Sequence, residues 1–404
     1  MIVLSPTPPA PAPRRPPRPD LFREPIWQEN PSLVARDRDR ALELDRRYGT
    51  ARAAERKALT IRPADAAAMC LSPKRRQITV DIFAMLGEWR HATAHQIAEH
   101  TNRPIGHVQS TLWTMFAAGW SSYCLNTEAR HMPAGGVHEF WRLPASFEVD
   151  WILRRFSVAE TIYITGGNTL TTASLRGARH DLFAVDAMLN LAANPAITGV
   201  IGPRSARPES LIGEPGAQQA RTTDTAFVTA DGTLILVEHT IHNDGGPKRL
   251  AAYLQLLNRH PNRFFVVWLD SRPADATRAK HFEAETTVAT ALTNATLLDT
   301  RKIRARIGFA SWTDWFPHGN LPTDHLPVRV PASDNLDLWT TGDALTVPGP
   351  GTQPAWLPQA ATVGSTPVSM RTGPVQPATD GWLERVVLPD LDDHGDNPHL
   401  LPYG

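Results

Sequence analysis

Between residues 197 and 300 the apolar positions come in short runs separated by turn formers. Thr225 to Thr229 (TAFVT) is β-branched and aromatic, and Asp231-Gly232 is a two-residue hairpin signal. Leu234 to Val237 (LILV) is unbroken apolar sequence, which predicts a strand buried on both faces. A turn at Asn243 to Pro247 then leads into KRLAAYLQLLNRH, a helix whose inward positions are Leu250, Tyr253, Leu254 and Leu257. FFVVWLD predicts another buried strand, residues 277–294 a helix, and residues 295–300 a short strand. Upstream, RGARHDLFAVDAMLNLAAN carries a stripe of Leu182, Phe183, Val185, Met188, Leu189 and Leu191, a helix followed by the short strand ITGVIG. Hairpin first and crossover units afterwards predict an α/β domain with a mixed sheet over 145–316.

The stretch 73–144 has a different rhythm. Ile78, Ile82, Phe83, Met85 and Leu86 share one helical face, and ATAHQIAEHTN predicts a short second helix with Ala94, Ile97 and Ala98 inward. A third helix follows, with Ile105 and Val108 leading into Leu112, Met115 and Phe116. An extended region with a Gly135-Gly136 turn completes the pattern expected of a winged helix-turn-helix. The third helix would then offer Arg103, His107, Gln109, Ser110 and Thr114 to DNA, with Lys74, Arg75 and Arg76 supplying charge at the entrance of the first. The alternative use of such a module is protein contact or dimerisation. Within residues 1–72, the first 30 or so read as a disordered Pro/Arg-rich arm and 31–60 as a charged helix. Residues 317–404, rich in Pro, Gly, Thr and Asp, read as largely irregular, with Trp339, Trp356 and Trp382 as small docking elements.

Composition narrows the classes without choosing among them. Forty-one basic and 41 acidic residues cancel, so overall charge gives no argument for nucleic acid. The segment before Lys74 carries an excess of arginine and the last twenty residues are acid-rich, an asymmetry that hints at a partner for the basic end. Two cysteines exclude a disulfide framework and fit a cytoplasmic protein. No apolar run approaches a membrane span, and the Pro-rich start lacks a signal-peptide core. GxGxxG, GxxxxGK, GxSxG and HExxH are absent, which removes the commonest small-molecule chemistries.

Asp224 heads the first strand of the hairpin and Glu238 ends the second, so folding brings them together. Two carboxylates at one end of a buried hairpin make a site for a hard cation, Mg²⁺ or Mn²⁺. The competing account is a pair of solvated strand-end acids. A helix with polar residues, Asp at a hairpin start, Glu on the second strand and then a helix resembles the layout of the PD-(D/E)XK nuclease fold. In that layout the carboxylates hold a metal that activates water. The lysine usual two residues after the glutamate is Thr240 here, which leaves Lys248 or Arg249, at the start of the next helix, to supply the charge by another route.

The winged helix of 74–144, the His180 helix (RHDLFAVDAML), the strand entry Thr223-Asp224-Thr225-Ala226, and Glu238-His239-Thr240 followed by KRLAAYLQ together resemble the replication-relaxation family of plasmids and integrative elements. Thr223 stands where that family commonly has proline. The resemblance implies a DNA-binding protein of a mobile element, acting in replication, relaxation or conjugative transfer beside other transfer or replication proteins. It implies nicking with His180, Asp224, Glu238 and Lys248 as the catalytic set: Asp224 and Glu238 hold the metal, His180 or Asp181 completes or orients the site, and Lys248 stabilises charge. The alternative is a non-catalytic accessory factor or regulator on a degenerate nuclease-like scaffold. Tyr253 has the chemistry of a covalent nucleophile, but its place on the helix predicts packing against the sheet.

Overall fold

The computed structural model describes residues 18–24, 27, 32–127, 138–144, 146–165, 170, 173–194, 196–204, 206, 223–229, 233–240, 246–260, 264–272, 290, 303, 306–320, 324–331 and 339–346. The fold is mixed α/β, with two sheets and helices packed on both. The first half runs β1 (Leu33–Arg36), α1 (Arg38–Tyr48), α2 (Ala53–Leu59), α3 (Pro63–Cys70), α4 (Arg76–Trp89), β2 (His91–Ala92), α5 (Ala94–His100), α6 (Ile105–Ala117), β3 (Ser122–Asn126) and β4 (Glu139–Arg142). Local chemistry sets several of these ends. Asp37 caps α1 by accepting from Arg40 N at 2.8 Å, and Gly49 stops it at φ 61°, a left-handed geometry that favours glycine. Thr93 and Gln96 form a reciprocal capping box at the start of α5. The four strands form one antiparallel sheet in the order β1-β3-β4-β2.

The second half runs α7 (Ser146–Leu153), α8 (Val158–Thr165), α9 (Ala178–Ala192), β5 (Ile197–Ile201), β6 (Thr225–Thr229), β7 (Leu234–Thr240), α10 (Gly246–Arg259), β8 (Phe264–Asp270), β9 (Ile307–Ser311), α11 (Trp312–Trp315), β10 (Pro327–Pro331) and β11 (Trp339–Asp343). Strands β5 to β11 form a seven-stranded sheet in chain order. Strands β5, β6 and β7 are an antiparallel meander, β8 and β9 run parallel to β7, and β10 and β11 return antiparallel. This is the mixed sheet expected from hairpin and crossover spacing.

Alternation along the central strands splits the core between the two faces of the sheet. Phe227, Ile235, Val237, Phe265 and Val267 join the cluster that contains α9. Leu234, Leu236, Phe264 and Val266 join Leu250, Tyr253, Leu254 and Leu257 of α10 in a second cluster. That is why LILV has no polar position: both faces of β7 are covered.

Three regions differ from the expectation. Among the described residues of the arm, Leu21, Phe22 and Trp27 are buried, with Phe22 stacked on Trp312 at 5.1 Å. Residues 33–36, expected within a helix, instead pair as an edge strand with β3. Past residue 316 the sheet continues, because β10 and β11 extend it and Trp339 packs edge-on against Phe309 at 5.4 Å. The prolines at both ends of β10 hid that strand; proline is tolerated near a sheet margin where a ladder bond is not needed. The helix and strand expected at 277–300 and the turns at Asp231-Gly232 and Gly135-Gly136 lie outside the described residues, as do Trp356 and Trp382.

Arg18 ties the arm to the body. Its guanidinium, 3% exposed, donates to Asp186 Oδ1 at 2.9 Å, Glu99 Oε2 at 2.6 Å and Asn190 Oδ1 at 2.8 Å. Removing one partner of a buried ion pair strands the other charge. Arg18→Ala is therefore expected to lower unfolding stability by about 3 kcal/mol, while Arg40→Ala on the exposed face of α1 changes it by less than about 0.5 kcal/mol. Guanidinium denaturation of both variants measures the difference, and equal midpoints would show the arm to be energetically idle.

Candidate functional site

The register of β6 on β7 pairs Thr225 with Val237. The next pair outward in that register is Asp224 with Glu238, so the ladder itself sets the two carboxylates side by side. Glu238 shares the parity of Leu234 and Leu236 and so faces α10. Arg249 and Tyr253 lie four residues apart on α10 and present their side chains together. Arg249 Nη1 donates to Glu238 Oε2 at 2.6 Å and lies 3.7 Å from Asp224 Oδ2. The Tyr253 hydroxyl donates to Glu238 Oε1 at 2.5 Å. On the other side, the third residue of α9, His180, places Nε2 3.0 Å from Asp224 Oδ2, and His239 N donates to that same oxygen at 2.8 Å.

A second carboxylate backs the histidine. Asp181 Oδ1 is 3.5 Å from His180 Nδ1, and Asp181 Oδ2 is 2.7 Å from Nδ1 of His91 in β2. His91 comes from the first half of the chain, so the site is connected to it through one hydrogen-bonded chain.

Burial and mutual charge decide the protonation states. Burial by itself would lower His180, but Asp224 first, with Asp181, outweighs it and lifts the imidazole to about 10. Burial would raise Asp224; the His180 charge and Arg249 overcome it, and its carboxyl lies below the usual range. Glu238 moves the other way, raised by burial and then by the neighbouring Asp224 against the pull of Arg249. Burial takes His239 down to about 3, so it stays neutral. Two carboxylates with their pKa values pushed apart, beside a fixed imidazolium, are a combination typical of functional sites.

The structure brings His180, Asp224 and Glu238 together, while Lys248 belongs to α10 with its side chain outside the described residues. Arg249 is the basic residue that reaches the carboxylates. Neither carboxylate is the solvated strand-end acid of the competing account, since Asp224 is 6% and Glu238 2% exposed. Sequence reasoning missed His91, which carried no signal, and set Tyr253 against the sheet as a packing residue in preference to a nucleophile. The ring does pack, edge-on to Trp268 at 5.6 Å, but the hydroxyl serves Glu238. An (i, i+4) Arg-Tyr pair just after a strand-end glutamate was the available clue.

No described cluster holds three or more metal-ligating side chains. Asp224 and Glu238 offer the oxygen donors a hard divalent cation takes, and they are the residues that would hold one, with Arg249 in contact with both.

The residues expected to face DNA are arranged less openly. Helices α2 and α3 pack against α6 and clothe much of it. Thr114, expected exposed, is buried: its hydroxyl donates to Ser110 O at 2.8 Å and accepts from Arg75 at 2.5 Å. Arg76 is held bidentate by Glu160 of α8 at 2.6 and 2.7 Å, which neutralises its charge. Arg103, His107 and Gln109 are half-buried, and Lys74 and Ser110 are exposed.

The His180–Asp224 pair has a defined pH signature. A histidine raised in the folded state contributes fully below its unfolded pKa, near 6.5, and loses that contribution as pH climbs to about 10. Wild type minus His180→Gln stability is therefore expected to shrink steadily between about pH 6.5 and 10. Urea unfolding of both proteins at stepped pH reads it, and a constant difference would remove the imidazolium. Comparison of the chain with protein-family models, with curated proteins and with solved structures returns no match.

Proposed function

We propose that this chain binds DNA and cleaves a phosphodiester strand with a divalent cation, Mg²⁺ or Mn²⁺, held by Asp224 and Glu238. Its service in replication, relaxation or transfer of a plasmid or integrative element follows from the resemblance of its motifs. One observation carries the chemistry: His180, Asp224, Glu238 and Arg249, from α9, the entry of β6, β7 and α10, meet at one end of the sheet. The order of elements supports the nuclease-like reading. A helix, three antiparallel strands, a helix and a fourth strand parallel to the third form the scaffold on which the Asp and Glu stand.

A bound cation would supply an activated water and neutralise charge on the phosphate. The protein's own side chains do the rest. Tyr253 fixes the Glu238 carboxylate and His239 N fixes that of Asp224. His180 and Arg249 bring positive charge to a place where a phosphate would enter. His180, protonated and gripped by two carboxylates, serves as a charge and not as a base.

DNA targeting belongs in this reading to the winged helix of 73–144. Helices α4, α5 and α6 with strands β2, β3 and β4 follow the order of that module. With α6 partly covered, phosphate contact falls mainly to exposed Lys74 and the α6 entrance. A second reading, a DNA-binding accessory protein without catalysis, is favoured by one fact: both Glu238 oxygens are already bonded within the protein.

Supercoiled plasmid incubated with the protein, with Mg²⁺ or Mn²⁺ against EDTA, separates the two. Metal-dependent conversion to open circles, reduced to the EDTA background by Asp224→Ala, is the expected result. A gel shift without conversion selects the accessory reading, and neither shift nor conversion discards nucleic acid as the partner. For binding itself, Lys74→Ala is expected to weaken duplex affinity similarly for unrelated sequences and reduce the log–log salt slope by about one unit. A fluorescence-anisotropy salt series in which slope and affinity stay at wild-type values takes Lys74 off the interface.

A further inference from the structure

Arg249 is the one described basic residue that contacts both carboxylates of the site. Its single Nη1 serves both, closely to Glu238 at 2.6 Å and loosely to Asp224 at 3.7 Å. The rest of the guanidinium is poorly used. Nε is buried and, among the described residues, has no hydrogen-bond partner. A half-buried guanidinium that settles on two acids by one nitrogen while leaving a buried donor idle is far from the bidentate geometry that makes arginine pairs strong. Its side chain keeps 31% exposure, against 3% for Glu238 and 9% for Asp224, so it approaches the acids from the open side.

Two buried carboxylates side by side cannot both stay ionised without a counter-charge. His180 answers Asp224 from one side, and Arg249, without an added ion, provides the charge that reaches both acids. We propose that Arg249 is a built-in counter-ion that holds the carboxylate pair in the metal-free protein and gives way to a divalent cation, leaving its guanidinium for the anionic substrate. This rests on the cation reading of Asp224 and Glu238 made above. The cation and the guanidinium compete for the same oxygens, so the arginine lowers apparent metal affinity by the fraction of time it occupies them. The idle Nε–H is then the donor that a phosphate oxygen would take once the side chain turns.

The test is direct binding of Mn²⁺ to the full chain, followed by loss of the free-ion paramagnetic resonance signal. Arg249→Gln is expected to bind Mn²⁺ about tenfold more tightly than wild type, as occupancy of the pair by the arginine falls from roughly nine-tenths to zero. Arg249→Lys, which keeps the charge, is expected to stay near the wild-type affinity. Melting curves in EDTA accompany each protein, so that a misfolded variant is recognised, and Arg249→Met, which removes the charge but keeps the apolar stem, then takes the place of Arg249→Gln with the same tenfold expectation. Asp224→Asn with Glu238→Gln places the binding at this site if it abolishes the tight Mn²⁺. Equal affinities in wild type and Arg249→Gln would leave the cation site standing and overturn the competition. Weaker binding by Arg249→Gln would also overturn it, making the arginine a support for the metal. Gln and Lys variants that tighten alike would assign the effect to loosened packing and refute the charge account. Absence of Mn²⁺ binding from all of them would sink the cation reading itself, and this inference with it.

Discussion

Two carboxylates are forced together in the interior by a ladder register that no side chain can alter without moving a strand. Thr225 opposite Val237 makes Asp224 the neighbour of Glu238, and burial of β7 on both faces holds that register against slippage. Like charges at that spacing in a low dielectric must be compensated or protonated. The surrounding elements meet that demand. Helix α9 brings the His180 imidazolium to Asp224, α10 brings Arg249 and the Tyr253 hydroxyl to Glu238, and the backbone of His239 closes the set. Since these groups come from separate elements, the position of each helix on the sheet is tied to the charge state of the pair.

The same electrostatic logic extends outward. Asp181 is shared between His180 and His91, and Asp186, just over one turn further along α9, takes Arg18 of the arm and Gln96 of α5. Helix α9 therefore carries two buried acids, each answered by a residue from another part of the chain, while its apolar residues fill the core. The arm, the first sheet and the large sheet meet along α9, so a disturbance at Asp224 has a connected path of hydrogen bonds to β2.

The core of the large sheet was legible because its signals are local. Unbroken LILV and FFVVWLD can only be strands covered twice, Asp231-Gly232 separates two strands that do pair as an antiparallel hairpin, and the Leu250, Tyr253, Leu254, Leu257 stripe has helical spacing. Asp224 and Glu238 were readable as a pair for the same reason, since a short antiparallel connection fixes which residues face each other. The margins were less legible. Prolines at the ends of β10 and a proline- and arginine-rich arm dominated their windows by composition, while the few residues that anchor them, Trp339, Phe22 and Trp27, act through contacts far along the chain.

Short-range patterning thus settled the mixed α/β class, the hairpin and the two acids, because periodicity and turn chemistry act within a dozen residues. Tertiary packing decided the rest. It selected Arg249 as the basic residue that reaches the acids, made His180 a cation by flanking it with two carboxylates, and turned Thr114 from an expected contact into a buried support for Arg75. Each of those outcomes depends on which helix lies against which strand, and on the low dielectric that the contact creates. Neither quantity is carried by neighbours in sequence.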